Sequence, residues 1–224
     1  AEHQLAMLRS ITRRAESVRR TADVFDTIVA VANDLRAGRP QPGAVEIPID
    51  LQYATADVDM SAPAGPAPAE PDTDALRRAV EALGRAERPL IWAGGGVVSG
   101  DASRELVRLA EHLGAPVVSS TNGRGTIPET HELAMGPISG DPRFAPIVQE
   151  ADVVLAVGTR FQAGATAQWR LPIPGRLIHL DADPGVIGRS YPPEIGIAGD
   201  ARLGLAYLAD HLEGVSTDTG FLAR

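Results

Sequence analysis

Lysine is absent from the 224-residue sequence, and all 21 basic residues are arginine. Cysteine is absent as well. The first gap excludes a Walker-type phosphate lysine, a Schiff base and a P-loop of the G-K-S/T kind. The second excludes a thiol nucleophile, a disulfide framework and a thiolate zinc site. Aromatic residues make up only 4%, which predicts an aliphatic core. Basic charge is in deficit: 29 acidic residues leave a net charge of −8, which argues against a nucleic-acid partner. No apolar run approaches the ~18 residues of a membrane span, so no membrane partner is expected. AEHQLAMLRS lacks the basic-then-apolar pattern of a signal peptide. The missing thiols fit a reducing cytoplasm, the expected location. What is present is 44% hydrophobic, enough to fill a core. The length suits one large domain or one and a half.

Three regions separate by composition. In residues 1–53, Thr21 is placed to cap a helix TADVFDTIVAVANDLRAG that Gly38 stops. A short strand AVEIPID follows, interrupted by Pro48. One helix and one strand bury too little to stand alone. The strand is therefore expected to dock on the rest of the chain or to pair between chains. Arg9, Arg13, Arg14, Arg19 and Arg20 read as a solvated face or a domain contact. Residues 54–72 carry Pro63, Pro66, Pro68 and Pro71 among Ala and Gly, the composition of an extended linker.

Residues 73–214 alternate helices with apolar strands. Thr73 opens helix DALRRAVEALGRA, and strand PLIWAG and turn GGGVVSGD follow. Next come helix SRELVRLAEHLG, strand APVVSST, a long loop and helix FAPIVQEA. Strands DVVLAVG, RLIHLDAD and EIGIAGD lead to a closing helix ARLGLAYLADHLEG. Strands apolar on both faces and spaced by helices predict a Rossmann-like open parallel α/β sheet of about five or six strands, with helices on both faces.

The loops after the strands are where such a sheet binds ligands. Gly94, Gly95 and Gly96 approach the dinucleotide fingerprint, but Ser99 replaces its third glycine. The next strand ends in Ser119-Ser120-Thr121, without the ribose-binding acid. A phosphate turn and a plain tight turn both fit. Arg160, after Gly158 and Thr159, can pair with phosphate or stack on adenine, or lie on the surface. Asp181 and Asp183 can accept from ribose or close the turn at Pro184. Asp200 is a good N-cap. His179 reads as a core histidine, and Trp92 and Trp169 as packing residues. No histidine pair has metal spacing, and there is no G-x-S-x-G elbow.

At these residues a resemblance appears. RPLIWAGGG, APVVSSTNGRGTIPETH, ADVVLAVGTRF, RLIHLDADP and IAGDA resemble, in order and spacing, the central domain of thiamine-diphosphate-dependent enzymes of the acetolactate synthase and 2-oxoacid decarboxylase type. GRPQPGAVEIPIDL is similar to the segment that closes that family's pyrimidine-binding domain. The resemblance implies a DHS-like NAD/FAD-binding fold at residues 73–214. It reads residues 1–53 as the tail of the pyrimidine-binding domain, 54–72 as linker and 215–224 as the start of a linker to a diphosphate-binding domain.

In this reading thiamine diphosphate and Mg²⁺ belong to the parent enzyme and its other domains. The chain is a fragment with no catalytic or metal-binding residue of its own, and the parent is a homo-oligomer. Some family members bind FAD or ADP in the central domain. The matching positions are Gly94, Gly95, Gly96, Thr121, Asn122, Met135, Gly136, Gly158, Thr159, Arg160, Asp181, Ala182, Asp200 and Ala201. Gln162 and Ala163 stand where flavin-binding members have two acids, and MGPISGD lacks their histidine. Three functions follow as expectations: an enzyme fragment acting as scaffold and interface, a nucleotide-binding module for FAD, ADP or NAD, and a stand-alone interaction domain with an empty crevice. An electron-transfer flavoprotein domain leaves residues 1–53 unexplained. A sirtuin core needs a catalytic histidine and usually zinc cysteines, which the sequence denies.

Overall fold

A computed structural model describes residues 3–61, 63–173 and 176–214. The expected linker at 215–224 lies outside these residues. The chain divides into two compact units, Ala1–Pro68 and Ala69–Arg224.

The smaller unit holds more structure than one helix and one strand. Helix α1 (Gln4–Ile11) leads into strand β1 (Arg14–Ser17), then helix α2 (Val24–Arg36), strand β2 (Gly43–Glu46) and helix α3 (Ile49–Tyr53). β1 and β2 pair in parallel, from Arg14 opposite Gly43 to Ser17 opposite Glu46. This overturns the expectation that β2 must find its partner on the larger unit or in another chain: the partner is the charged segment RAES. A Cβ on Gly43 would sit 2.5 Å from the Leu35 side chain of α2, so a larger residue there would have to displace that leucine. Thr21 does not cap α2. It lies in a 3₁₀ turn, and its hydroxyl donates to the Leu51 carbonyl at 3.2 Å. Three of the clustered arginines pair locally: Arg13 with Asp34, Arg14 with Glu16 and Arg20 with Asp23.

The larger unit is a six-stranded, wholly parallel sheet. Helix α4 (Thr73–Gly84) is capped by Asp72, whose carboxylate accepts from the Asp74 amide at 2.9 Å. Strand β3 (Pro89–Ala93), helices α5 (Gly95–Ser99) and α6 (Ser103–Leu113), and strands β4 (Val117–Ser119) and β5 (Ala134–Gly136) follow. Helix α7 (Phe144–Glu150), strands β6 (Val153–Val157), β7 (Arg176–Asp181) and β8 (Ile195–Ala198), and helix α8 (Ala201–His211) complete it. GGGVVS is thus a short helix rather than a plain turn, and β5 lies inside the expected long loop. The strand order is β5-β4-β3-β6-β7-β8.

The first residues of this unit belong to the Pro/Ala-rich segment. The Asp200 amide donates to the Ala69 carbonyl at 2.8 Å. Pro71 is buried against Gly199, where a Cβ would come within 2.6 Å of the proline Cα.

Alternation along each strand splits the core in two. Ile91, Ala93, Leu155, Val157, Ile178 and Leu180 join Leu76, Leu83, Leu109, Leu205 and Leu208 of α4, α6 and α8. That face is aliphatic, as the composition suggests. The opposite face is not. Leu90, Trp92, Val154 and Ala156 meet Phe144 and Val148 of α7, together with Phe161 and Leu171. Trp92 makes edge contacts with Phe144 and Phe161, each at 5.1 Å between ring centroids. Phe161 in turn meets His179 at 5.2 Å and Tyr191 at 5.0 Å. On that side a cluster of aromatic residues packs beside α7. Trp92 packs as expected, whereas Trp169 is 54% exposed.

Candidate functional site

In a sheet ordered β5-β4-β3-β6-β7-β8, the chain runs outward from β3 to one side and from β6 to the other. The crevice beyond the carboxyl ends of β3 and β6 is the topological switch point, where such sheets bind ligands. Gly94 follows β3 and Gly158 follows β6, so two expected glycine segments meet there.

They meet backbone to backbone. The Gly94 amide donates to the Val157 carbonyl at 2.8 Å and the Gly96 amide to the Gly158 carbonyl at 3.0 Å. A Cβ on Gly94 would lie 2.1 Å from the Gly158 oxygen, and one on Gly96 would lie 2.5 Å from the Gly158 Cα. Gly158 itself has φ +59°, a left-handed backbone that glycine adopts at no steric cost. Gly123 closes the third side, since a Cβ there would be 2.3 Å from the Ala93 oxygen. The amides of Gly94 and Gly96, which a dinucleotide turn would aim at a phosphate, are bonded inside the protein. Gly95 sits under Asn122, and Thr121 and Asn122 are exposed on the 3₁₀ turn beside it.

The other expected residues occupy the same carboxyl edge farther out. Met135 and Gly136 lie in β5, on the edge strand. Asp181 is buried at the end of β7, and one of its oxygens accepts from the Asp183 amide at 2.9 Å. Ala182 follows in that turn. Asp200 caps α8, accepting from the Leu203 amide at 3.0 Å, and Ala201 is the first helical residue. Both carboxylates are thus committed to their own turns at one oxygen each. Among the described residues no three His, Asp or Glu side chains converge as a metal cluster.

Arg160 differs from its neighbours. It is half-buried, and its guanidinium has no hydrogen-bond or ion-pair partner among the described residues. The backbone around it is held from three directions. His179 Nε2 donates to the Thr159 carbonyl at 2.9 Å, and Trp169 Nε1 donates to the Phe161 carbonyl at 2.8 Å. The Ser190 hydroxyl reaches the Arg160 carbonyl at 3.5 Å.

Phe161 has φ +50°, and Ala167, Gln168 and Trp169 form a run at φ +48°, +60° and +59°. Left-handed backbone costs about 1–2 kcal/mol per non-glycine residue and normally occurs singly. Here it is sustained by the Gln168 amide on the Ala163 carbonyl, the Leu171 amide on the Thr166 carbonyl and the Trp169 amide on Thr166 Oγ1. Nothing in the sequence AQW marks such a turn, which is why Trp169 reads as a packing residue there.

Burial pushes the His179 imidazole below its usual range. Its Nε2–H serves Thr159, while Nδ1 is buried with no partner among the described residues. A second proton would add a buried donor with nothing to accept it. The folded pKa lies below the unfolded one, so the unfolded chain binds more protons as pH falls and stability drops with it. That contribution is complete above the unfolded value of about 6.5 and is lost as pH falls through the folded value. Thermal midpoints measured from pH 7 to pH 5 should fall in the wild type and fall less in His179→Gln. Parallel curves would refute this assignment.

The sequence profile of the thiamine pyrophosphate enzyme central domain matches residues 76–208. The chain is 35% identical over 189 residues to the acetolactate synthase large subunit of Corynebacterium glutamicum, covering 81% of this chain and 30% of that protein. It is 34% identical over 211 residues to the glyoxylate carboligase of Escherichia coli O157:H7, covering 92% and 36%. It therefore spans about a third of the length of these relatives. A crystal structure from Mycobacterium smegmatis, assigned to the thiamin diphosphate-dependent enzymes, superposes with a TM-score of 0.74 at 24% identity, covering 93% of this chain and 40% of the other. At that identity the likeness speaks for the fold.

Proposed function

Because the chain belongs to the thiamine pyrophosphate enzyme family, as its central domain, we propose that it serves as scaffold and interface in a larger lyase or transferase that acts on 2-oxoacids. The observation that carries this reading is the glycine contact between Gly94, Gly96 and Gly158. There the Gly94 and Gly96 amides are bonded to the Val157 and Gly158 carbonyls rather than turned toward a ligand. Thiamine diphosphate, with Mg²⁺, supplies the carbanion stabilisation in such an enzyme. In this reading both are held by its pyrimidine- and diphosphate-binding domains, and this chain alone catalyses nothing. The parent is a homo-oligomer of the reducing cytoplasm. No helix among the described residues is long and apolar enough to cross a membrane.

Calorimetry with thiamine diphosphate and Mg²⁺ tests the reading. No saturable heat is expected, and no acetolactate or carbon dioxide should form from pyruvate. Micromolar affinity, or turnover by the purified chain, would overturn it.

Arg160 favours a second reading, in which the crevice edge holds the anionic part of a nucleotide such as ADP or FAD. Its guanidinium, without a partner among the described residues, is available to pair with an anion. The engaged Gly94 and Gly96 amides leave that task to the side chain. ADP should raise the thermal midpoint of the wild type and not that of Arg160→Ala. A flat response in both leaves the scaffold alone.

A further inference from the structure

We propose that the groove between helix α6 and the loop at residues 124–129 is a second ligand site, which takes a small organic acid: one carboxylate on an apolar body. The site is separate from the switch-point crevice and rests on no role of Arg160.

Ser103, Arg104, Val107, Arg108 and Glu111 share one face of α6 at helical spacing and form one wall. That wall is about 12 Å long. The other wall is the segment from Arg124 to Glu129, which follows β4 and its 3₁₀ turn. The open groove between them encloses about 720 Å³, within the range of about 300–1,000 Å³ typical of small-molecule sites. The loop is tied to the helix. His131 Nδ1 accepts from the Leu133 amide at 3.2 Å, which leaves Nε2 to donate to Glu111 of α6 at 3.2 Å. Val107, Ile127 and Pro128 supply apolar surface to the groove.

Charge sets the class of ligand. Arg104, Arg108 and Arg124 line the groove against Glu111 and Glu129, an excess of positive charge in a chain of net −8. On α6 the two signs are separated. Arg104 and Arg108 lie nearer the amino end, whereas Glu111 lies in the last turn and is bound to His131. The amino end has no side-chain cap. Its N-cap is Ala102, and Glu105, the acid of the first turn, is buried. The positive end of the helix dipole is therefore left for an anion. Thr126 also lines the groove, and its buried hydroxyl has no partner among the described residues. The existing partners of the arginines are weak competitors. Arg108 pairs with Asp210 and Arg124 with Glu129, each at 2.7 Å, and Arg104 pairs with Glu105 at 3.2 Å. The three guanidiniums are all solvent-exposed, and ion pairs of that kind hold loosely in water.

An NMR titration of the isotopically labelled full chain with 3-phenylpropionate tests the site, with 3-phenylpropanamide as the neutral control. Backbone shifts should saturate and concentrate at residues 103–111 and 124–129. The neutral control should bind roughly tenfold more weakly, the loss expected for a charge-assisted contact. Arg104→Gln should weaken binding of the acid by a similar factor. Its side chain is 93% exposed, so the substitution leaves packing intact. Val107→Phe, which fills the groove, should abolish binding, and Arg160→Ala should leave it unchanged. The proposal is overturned by the absence of a saturable shift, by shifts centred on Gly94, Gly96 and Gly158 instead, or by equal affinity for the acid and its amide. Wild-type affinity in Arg104→Gln would overturn it as well, even if Val107→Phe proves insoluble.

Discussion

Gly94→Ala should lower the thermal midpoint of the larger unit by about 10 °C or leave the protein insoluble. A methyl group there would stand 2.1 Å from the Gly158 oxygen. The atom it meets is backbone, fixed by the Gly158 amide on the Leu180 carbonyl at 2.8 Å. β3 and β6 are adjacent, buried along their whole length and paired from Pro89 opposite Val153 to Ala93 opposite Val157. Neither can retreat without breaking the ladder. Steric strain of this kind belongs to the upper tail of single-residue effects, about 4 kcal/mol or more. At about 2–4 °C per kcal/mol for a unit of this size, that is on the order of 8–16 °C. Gly164→Ala is the control, because nothing lies within 4 Å of a Cβ there. It should change stability by less than about 1 kcal/mol. Equal midpoints for the two variants would refute the backbone contact.

Trp92→Ala should be the most damaging side-chain truncation in the larger unit. Trp92 has no exposed surface and stands between Phe144 and Phe161 on the face that α7 covers. Removing a buried tryptophan typically costs about 3–5 kcal/mol, and each lost edge contact adds roughly 0.5–1.5 kcal/mol. Trp92→Phe should be far milder. It retains a ring, and it discards an indole N–H that is buried without an acceptor among the described residues. Urea titrations of the three proteins check this: the phenylalanine variant should fall nearer the wild type than the alanine variant. The reverse order would place the stability of that face elsewhere.

The elements that were legible in the sequence are those with strong periodicity or continuous burial. α4, α6 and α8 carry apolar residues at helical spacing, β3 and β6 are almost purely apolar, and β7 is buried after its first residue. β1 was not legible because RAES has no alternation and becomes a strand only through its partner β2. β5 was hidden because Ala134-Met135-Gly136 has no β-branched residue and shifts register against β4. α5 was hidden by its own glycines. At the site, both glycine segments stood out as motifs, but sequence alone assigns them to a phosphate. That they touch each other is a property of strand order. The left-handed run at residues 167–169 was the least visible, since Ala, Gln and Trp rarely take left-handed backbone and no glycine or asparagine announces it.

The pinning of residues 69–72 also has a mechanical meaning. A pull applied at residue 69 meets these contacts before it reaches α4. It loads the Ala69–Asp200 hydrogen bond and the Pro71–Gly199 contact, at the corner where β8 turns into α8. The anchor point is thus moved from the sequence start of the domain to the carboxyl edge of its sheet. The tether pulls on the same edge that carries the crevice.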